Sequence, residues 1–141
     1  ALGCTGVSVR ETPEHRRECY DFEMRVGGMF TGVVEIKCLT YPLEKVLEWG
    51  HLLIEKEQIS NLRKMFYKTG AVSGKGYWSK EVVILCRTKD NVCFAINLRD
   101  VARYWNESEI VPPGVIKDNH GKSEADREAR YIKIQHWERF E

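Results

Sequence analysis

The sequence lacks several things that would have decided its class at once. It has no C-x-x-C pair, and its five cysteines, Cys4, Cys19, Cys38, Cys86 and Cys93, are odd in number. That argues against a disulfide framework or a structural zinc site and favours a reducing, intracellular setting: the cytoplasm or, in a eukaryote, the nucleus. Charge of one sign is not in excess. Lysine and arginine total 22 against 21 acids, a formal net charge of +1. No global field steers the chain to nucleic acid, so any basic footprint must be local. There is no transmembrane-length apolar run and no signal peptide. The chain begins at Ala1 rather than Met, which leaves open a trimmed or processed form with an N-terminal element before it. GAVSGKG is not a phosphate-binding loop: it is one residue short between glycines, and no Ser or Thr follows Lys75. His51 and His120 lack metal-ligand spacing, and no nucleophile elbow or Cys-His signature is present.

What is there suits one globular domain. The 141 residues are 43% apolar and 30% charged, enough for a real core. GVSVRE (6–11) alternates as a first strand, and Pro13 marks a break after it. YDFEMRV and TGVVEIKCL alternate apolar and polar residues about Gly27-Gly28, a hairpin pattern. Residues 43–69 read as helical, with Pro42 before and Gly70 after, and with Ile59, Leu62, Met65 and Phe66 as an apolar stripe. KTGAVSGKGYWSK reads as a basic, aromatic loop. EVVILCR and VCFAIN make a buried hairpin, with Cys38, Cys86 and Cys93 expected as small core residues. Asn97 caps a short helix through Trp105, residues 117–130 form a charged loop or frayed helix, and YIKI is the last strand. The order predicts an α/β fold, a mixed sheet flanked by helices, in a single domain spanning 1–141.

The hairpin carries the chemistry. Glu35 and Lys37 share one face of their strand, while Val34, Ile36 and Cys38 point the other way, toward the core. Folded about Gly28, the hairpin sets Asp21 directly opposite Glu35, roughly 5 Å apart at Cβ. A slip of one residue would put the two on different faces. Opposed carboxylates repel, and a divalent cation compensates them. The oxygen donors suit Mg²⁺ or Mn²⁺, with the Ile36 carbonyl as a third ligand beside Asp21 and Glu35. Lys37 beside such a metal would orient or deprotonate water, or stabilise charge on a phosphate. The competing reading of Glu-x-Lys on a strand is a solvated face.

An aspartate, a turn and then Glu-x-Lys resembles the core motif of the PD-(D/E)XK nuclease superfamily. The match extends through HLLIEKEQISNLRKMFYKTGAV, which looks like the helix that carries a site-facing glutamine; here that residue is Gln58. The layout is most similar to RecU-type Holliday junction resolvases and their phage relatives, with AINLRDVARYW and GVSVRETP matching later and earlier pieces. The resemblance covers most of residues 6–105. It implies a restriction-endonuclease-like core and a magnesium-dependent DNA endonuclease with Asp21, Glu35, Lys37 and Gln58 as catalytic residues. A branched or junction DNA substrate and a homodimer are implied with it. Tyr20 stands where the motif has proline. The glutamate that many members place on an N-terminal helix has no matching position, and Glu11, Glu14 and Glu18 are the nearest acids. Phosphate contacts are expected from His15, Arg16 and Arg17, and from Lys68, Lys75 and Lys80 around Tyr77 and Trp78; alternatively, Trp78 covers the core. The competing function is a non-catalytic nucleic-acid-binding or assembly module on the same fold.

Overall fold

The computed structural model describes residues 7–11, 21–69, 76–112, 115 and 128–141. Its centre is a six-stranded mixed sheet. β1 (Val7–Glu11), β2 (Phe22–Val26) and β3 (Met29–Cys38) run antiparallel in sequence. β3 then pairs in parallel with β7 (Glu81–Arg87), which returns antiparallel to β8 (Cys93–Asn97) and so to β11 (Glu138–Phe140). The parallel pair needs a crossover. That crossover holds α1 (Leu43–Trp49), β4 (His51–Glu55), α2 (Lys56–Phe66), and a short ribbon of β5 (Tyr67–Thr69) and β6 (Gly76–Trp78). After β8 come α3 (Leu98–Tyr104), a 3₁₀ turn (Trp105–Glu107), β9 (Glu109–Ile110) and β10 (Ala129–Lys133). β4, β10 and β9 form a second, three-stranded sheet. The α/β class with a mixed sheet and flanking helices is as expected. Among the described residues no helix is long and apolar enough to cross a membrane.

The hairpin register rests on two local devices. Gly27 and Gly28 have φ of 56° and 81°, the positive pair that a two-residue hairpin turn with the strands' own twist demands. That turn alone pairs Val26 with Met29 and Arg25 with Phe30. Continued unchanged, it would set Asp21 against Val34. Thr31 is the extra residue of a bulge, and beyond it Met24 pairs with Gly32 and Phe22 with Val34. The Thr31 hydroxyl donates to the Met24 carbonyl at 3.2 Å. Gly32 has no room for a side chain, since a Cβ there would lie 2.3 Å from the Glu81 carbonyl oxygen. The bulge therefore brings Asp21 opposite Glu35.

The core lies on one side of the main sheet. Val33, Val82, Ile84, Cys86, Phe94 and Ile96 supply its floor. Val46 of α1, Leu62 and Phe66 of α2, Leu98 and Val101 of α3, and Leu52, Ile54 and Ile132 of the second sheet cover it. This corrects the expected faces. Glu35 and Lys37 share the side of Val33, pairing with Ile84 and Cys86, so they emerge at the margin of the helix-covered core. Val34 is buried on the opposite face, and Cys38 is exposed.

The 43–69 helix is also corrected. Gly50 ends α1 in the left-handed region, its N–H bonded to the Val46 carbonyl at 2.8 Å. In the next segment only Leu52 and Ile54 are fully buried: a strand period that pairing with β10 selects over the helical one. The aromatic loop is partly the β5–β6 ribbon, and YIKI is followed by β11. The α3 cap is as expected, with Asn97 Oδ1 accepting from the Arg99 N–H at 2.8 Å.

Candidate active site

Asp21 lies just before β2 and is bound to β3 twice. Its N–H donates to the Val34 carbonyl at 3.2 Å. Its carboxylate Oδ2 accepts the Ile36 N–H at 2.8 Å. The side chain therefore bends into the plane of the sheet, where it takes a backbone donor. Since N–H and C=O of one strand residue point to the same side, the Ile36 carbonyl is directed toward Asp21 as well.

Glu35 stands opposite. Its carboxyl pKa is raised from 4.5 to about 7, chiefly by burial and next by the nearby Asp21 charge. A hydrogen bond from Gln58 and the Lys37 ammonium pull it part of the way back. Asp21, Gln58 and Lys37 thus all act on one half-buried carboxyl. Gln58 sits in the first turn of α2, which follows β4 directly. Its Oε1 is buried with no hydrogen-bond partner among the described residues. Lys37 is half-buried, with Cys86 beside it across the parallel ladder. Burial pushes the Cys86 thiol up to about 12, the Lys37 charge opposing it, so this cysteine stays a protonated core residue.

The donor set fits a hard divalent cation in three respects. The Asp21 charge acts on the Glu35 carboxyl, the Ile36 carbonyl lies on the strand side that faces Asp21, and the Gln58 amide oxygen is left without a partner among the described residues. Among the described residues no three His, Cys, Asp or Glu side chains gather as a ready cage, so the carbonyl would have to serve as a ligand.

A buried acid that sequence reasoning missed lies next door. Glu23 pairs with Val33 and shares the face of Glu35. It is fully buried, and its carboxylate meets Arg25 at 3.1 Å. Its spacing of two from Asp21 was the available signal, but a charged residue at a polar position of an alternating strand reads as solvent-facing.

The expected nucleic-acid contacts divide. His15, Arg16, Arg17 and Lys75 lie outside the described residues, as do Cys4, Cys19, Glu14, Glu18 and His120. Trp78 is half-buried against the core and meets Tyr67 edge-on at 5.0 Å. Lys80 donates to the Phe30 carbonyl at 3.1 Å and lies over the Phe30 ring. Tyr77 is 56% exposed and pairs across the ribbon with the exposed Lys68. Arg63, not singled out beforehand, lies over the Tyr67 ring at 4.6 Å.

No family model matches the chain, and no curated protein matches it. Among solved structures it is similar to D212, described as a nuclease from a fusselovirus. The TM-score is 0.48 and the sequence identity 15%, and the alignment covers 94% of this chain and 69% of that one.

Proposed function

We propose that this chain is a divalent-metal-dependent nuclease that hydrolyses phosphodiester bonds in DNA. One observation carries the reading: Asp21, Gln58 and Lys37 surround a single Glu35 carboxyl whose pKa is raised to about 7. A structural charge is usually paired to silence; this one faces a second acid at the margin of the core. Asp21 and Glu35 would hold Mg²⁺ or Mn²⁺ with the Ile36 carbonyl. Such a cation supplies Lewis-acid stabilisation of charge on a phosphate. Lys37 orients the attacking water and offsets negative charge as the bond breaks. Gln58 fixes Glu35 through its amide and presents Oε1 to a water proton. Asp21, anchored on the Ile36 N–H, needs little reorganisation to serve as ligand.

Lys68 and Tyr77, side by side on the exposed β5–β6 ribbon, suit backbone contact and stacking on an unpaired base. The finer reading, a branched or Holliday junction substrate cut by a homodimer, draws on the likeness of the DF-turn-ExK hairpin to RecU-type resolvases.

The test is cleavage of labelled junction, duplex and single-stranded DNA with and without Mg²⁺. Cutting is expected only with the metal, and Lys37→Ala and Asp21→Asn are each expected to abolish it. Activity surviving both substitutions rejects the site. Binding without cleavage on every substrate would instead favour the non-catalytic module.

A further inference from the structure

A concavity of about 330 Å³ lies at the far end of β4 from Gln58. Its walls come from the junction of α1 with β4, from the end of α3 and the turn into β9, and from β10 and the turn after it. Two aromatic pairs line it. His51 and Tyr131 lie 4.0 Å apart between ring centroids, tilted by 35°, and Tyr104 and His136 lie 3.7 Å apart and nearly parallel, at 8°. All four rings are half-buried. Glu107, Glu109 and Lys133 are exposed on the same walls. Among the described residues none of these three is held in a salt bridge.

The walls are fixed. Arg130 donates to the Ser108 carbonyl at 2.8 Å, pinning the segment between the two glutamates. The Ile134 N–H donates to the Gly50 carbonyl at 3.0 Å, tying the turn after β10 to the end of α1. A concavity with held walls of this volume is ordinary for a small ligand.

Its chemistry selects the ligand by exclusion. A bare anion meets Glu107 and Glu109. A bare cation meets Lys133, and rings already paired with one another do not form the enclosing cage an ammonium prefers. What remains is a flat, neutral ring that extends a stack and offers N–H donors to a carboxylate. Guanine does this best among the bases: its adjacent N1–H and N2–H groups suit one carboxylate, and its O6 accepts from an ammonium. Adenine and uracil have no such paired donors beside an acceptor, and cytosine has one amino group only.

We propose that this concavity is a guanine-binding site, in which the base stacks on the His51–Tyr131 or Tyr104–His136 pair, Glu109 or Glu107 accepts from its N1–H and N2–H, and Lys133 donates to O6. The site requires neither a metal nor the Glu35 centre. The base would come from a free nucleotide or from an unpaired position in a strand.

The test uses the full chain in metal-free buffer, titrated separately with GMP, AMP, CMP and UMP. Binding is read by calorimetry and by the ring resonances of the four histidines. GMP is expected to bind at about 1 mM or tighter and about tenfold more tightly than AMP or UMP. Only the His51 and His136 signals should move. Glu107→Gln/Glu109→Gln is expected to weaken GMP about tenfold while leaving AMP unchanged. Lys89→Gln, an exposed charge change outside the concavity, should bind GMP like the parent, a check that the fold survives substitution. An oligonucleotide with one unpaired guanine, tested alongside, names the source: tighter binding than GMP assigns a strand, equal binding a free nucleotide. Equal affinity for all four nucleotides, no binding, or preference for choline over GMP would overturn the inference. Because no cleavage is required, a chain that binds GMP and cuts nothing keeps this site and loses the nuclease reading. One that cuts DNA and ignores GMP does the reverse.

Discussion

Glu23 and Glu35 are two acids on adjacent strands, on one face of one sheet, and they have met opposite fates. Glu23 is the more deeply buried, yet it is matched by Arg25 at 3.1 Å. Arg25 is held in turn by the Gly28 carbonyl at 2.8 Å. Glu35 is only half-buried, yet it faces Asp21 and is raised to about 7. Burial raises Glu35 first and the Asp21 charge adds to it, so depth of burial alone does not separate the two acids. The sign of the neighbour is the second difference between them. A buried acid given an arginine is a strut in the sheet, and one given a second acid is a place where a cation or a proton is wanted.

The largest expected effect breaks the comparison on the Glu35 side. Glu35→Gln should lower metal-dependent DNA cleavage by about a thousandfold or more, since it removes a ligand and a charge together. Thermal unfolding of the metal-free protein at pH 8 should show no loss of stability. A variant that cuts as well as the parent would remove Glu35 from the site.

Glu23→Gln should do the opposite. It removes the carboxylate that Arg25 meets at 3.1 Å beside the hairpin turn. Denaturant unfolding should show a loss of about 2–4 kcal/mol. A variant as stable as the parent would mean that the Glu23–Arg25 pair is not a strut, and the contrast would fail.

The third prediction is a pH dependence. The folded chain holds the Glu35 proton more tightly than the unfolded chain does, about 7 against 4.5. The stability this adds is complete below pH 4.5 and is lost as the pH rises through 7. After allowance for solvent screening, the metal-free protein should be on the order of 1–2 kcal/mol less stable from this group at pH 8 than at pH 5. Glu35→Gln should flatten that slope. Millimolar Mg²⁺ should restore stability at pH 8, since a cation replaces the proton there. A stability profile identical in parent and Glu35→Gln would refute the shift.

The same two acids show how far the sequence could be read. Alternation and the Gly-Gly turn made the hairpin legible, and with it the pairing of Asp21 with Glu35. The reason for that pairing was not legible. Nothing in MFTGV announces a bulge at Thr31, because an extra residue changes register without changing composition. The facing of the strand was misread for a related reason. Val34 and Ile36 are as apolar as Val33, and only the placement of the helices, a long-range matter, decides which side they cover. HLLIE was read as helix because Leu52 and Ile54 fit either period until β10 arrives beside them. Gln58 stands out only through the resemblance of its helix to a family motif, and Glu23 does not stand out at all, because burial of a charge depends on a partner that local pattern does not show. The concavity between His51 and His136 was wholly hidden, since three separate stretches of chain assemble it.

The smallest predicted effect carries the contrast to the β5–β6 ribbon. Tyr77 and Trp78 are adjacent, but strand alternation sends Trp78 inward against Tyr67 and the core and leaves Tyr77 outward beside Lys68. Tyr77→Ala should therefore cost little stability, with a melting temperature within about 2 °C of the parent. If the ribbon touches an unpaired base, the variant should bind single-stranded or branched DNA about fivefold more weakly, with smaller loss on an unbroken duplex. Binding is measured by fluorescence anisotropy in Ca²⁺, which supports ligation without demanding turnover. Equal weakening on duplex and branched DNA would make Tyr77 a general contact. No weakening on either would leave the ribbon outside the nucleic-acid surface and confine the interface to the margin around Lys37.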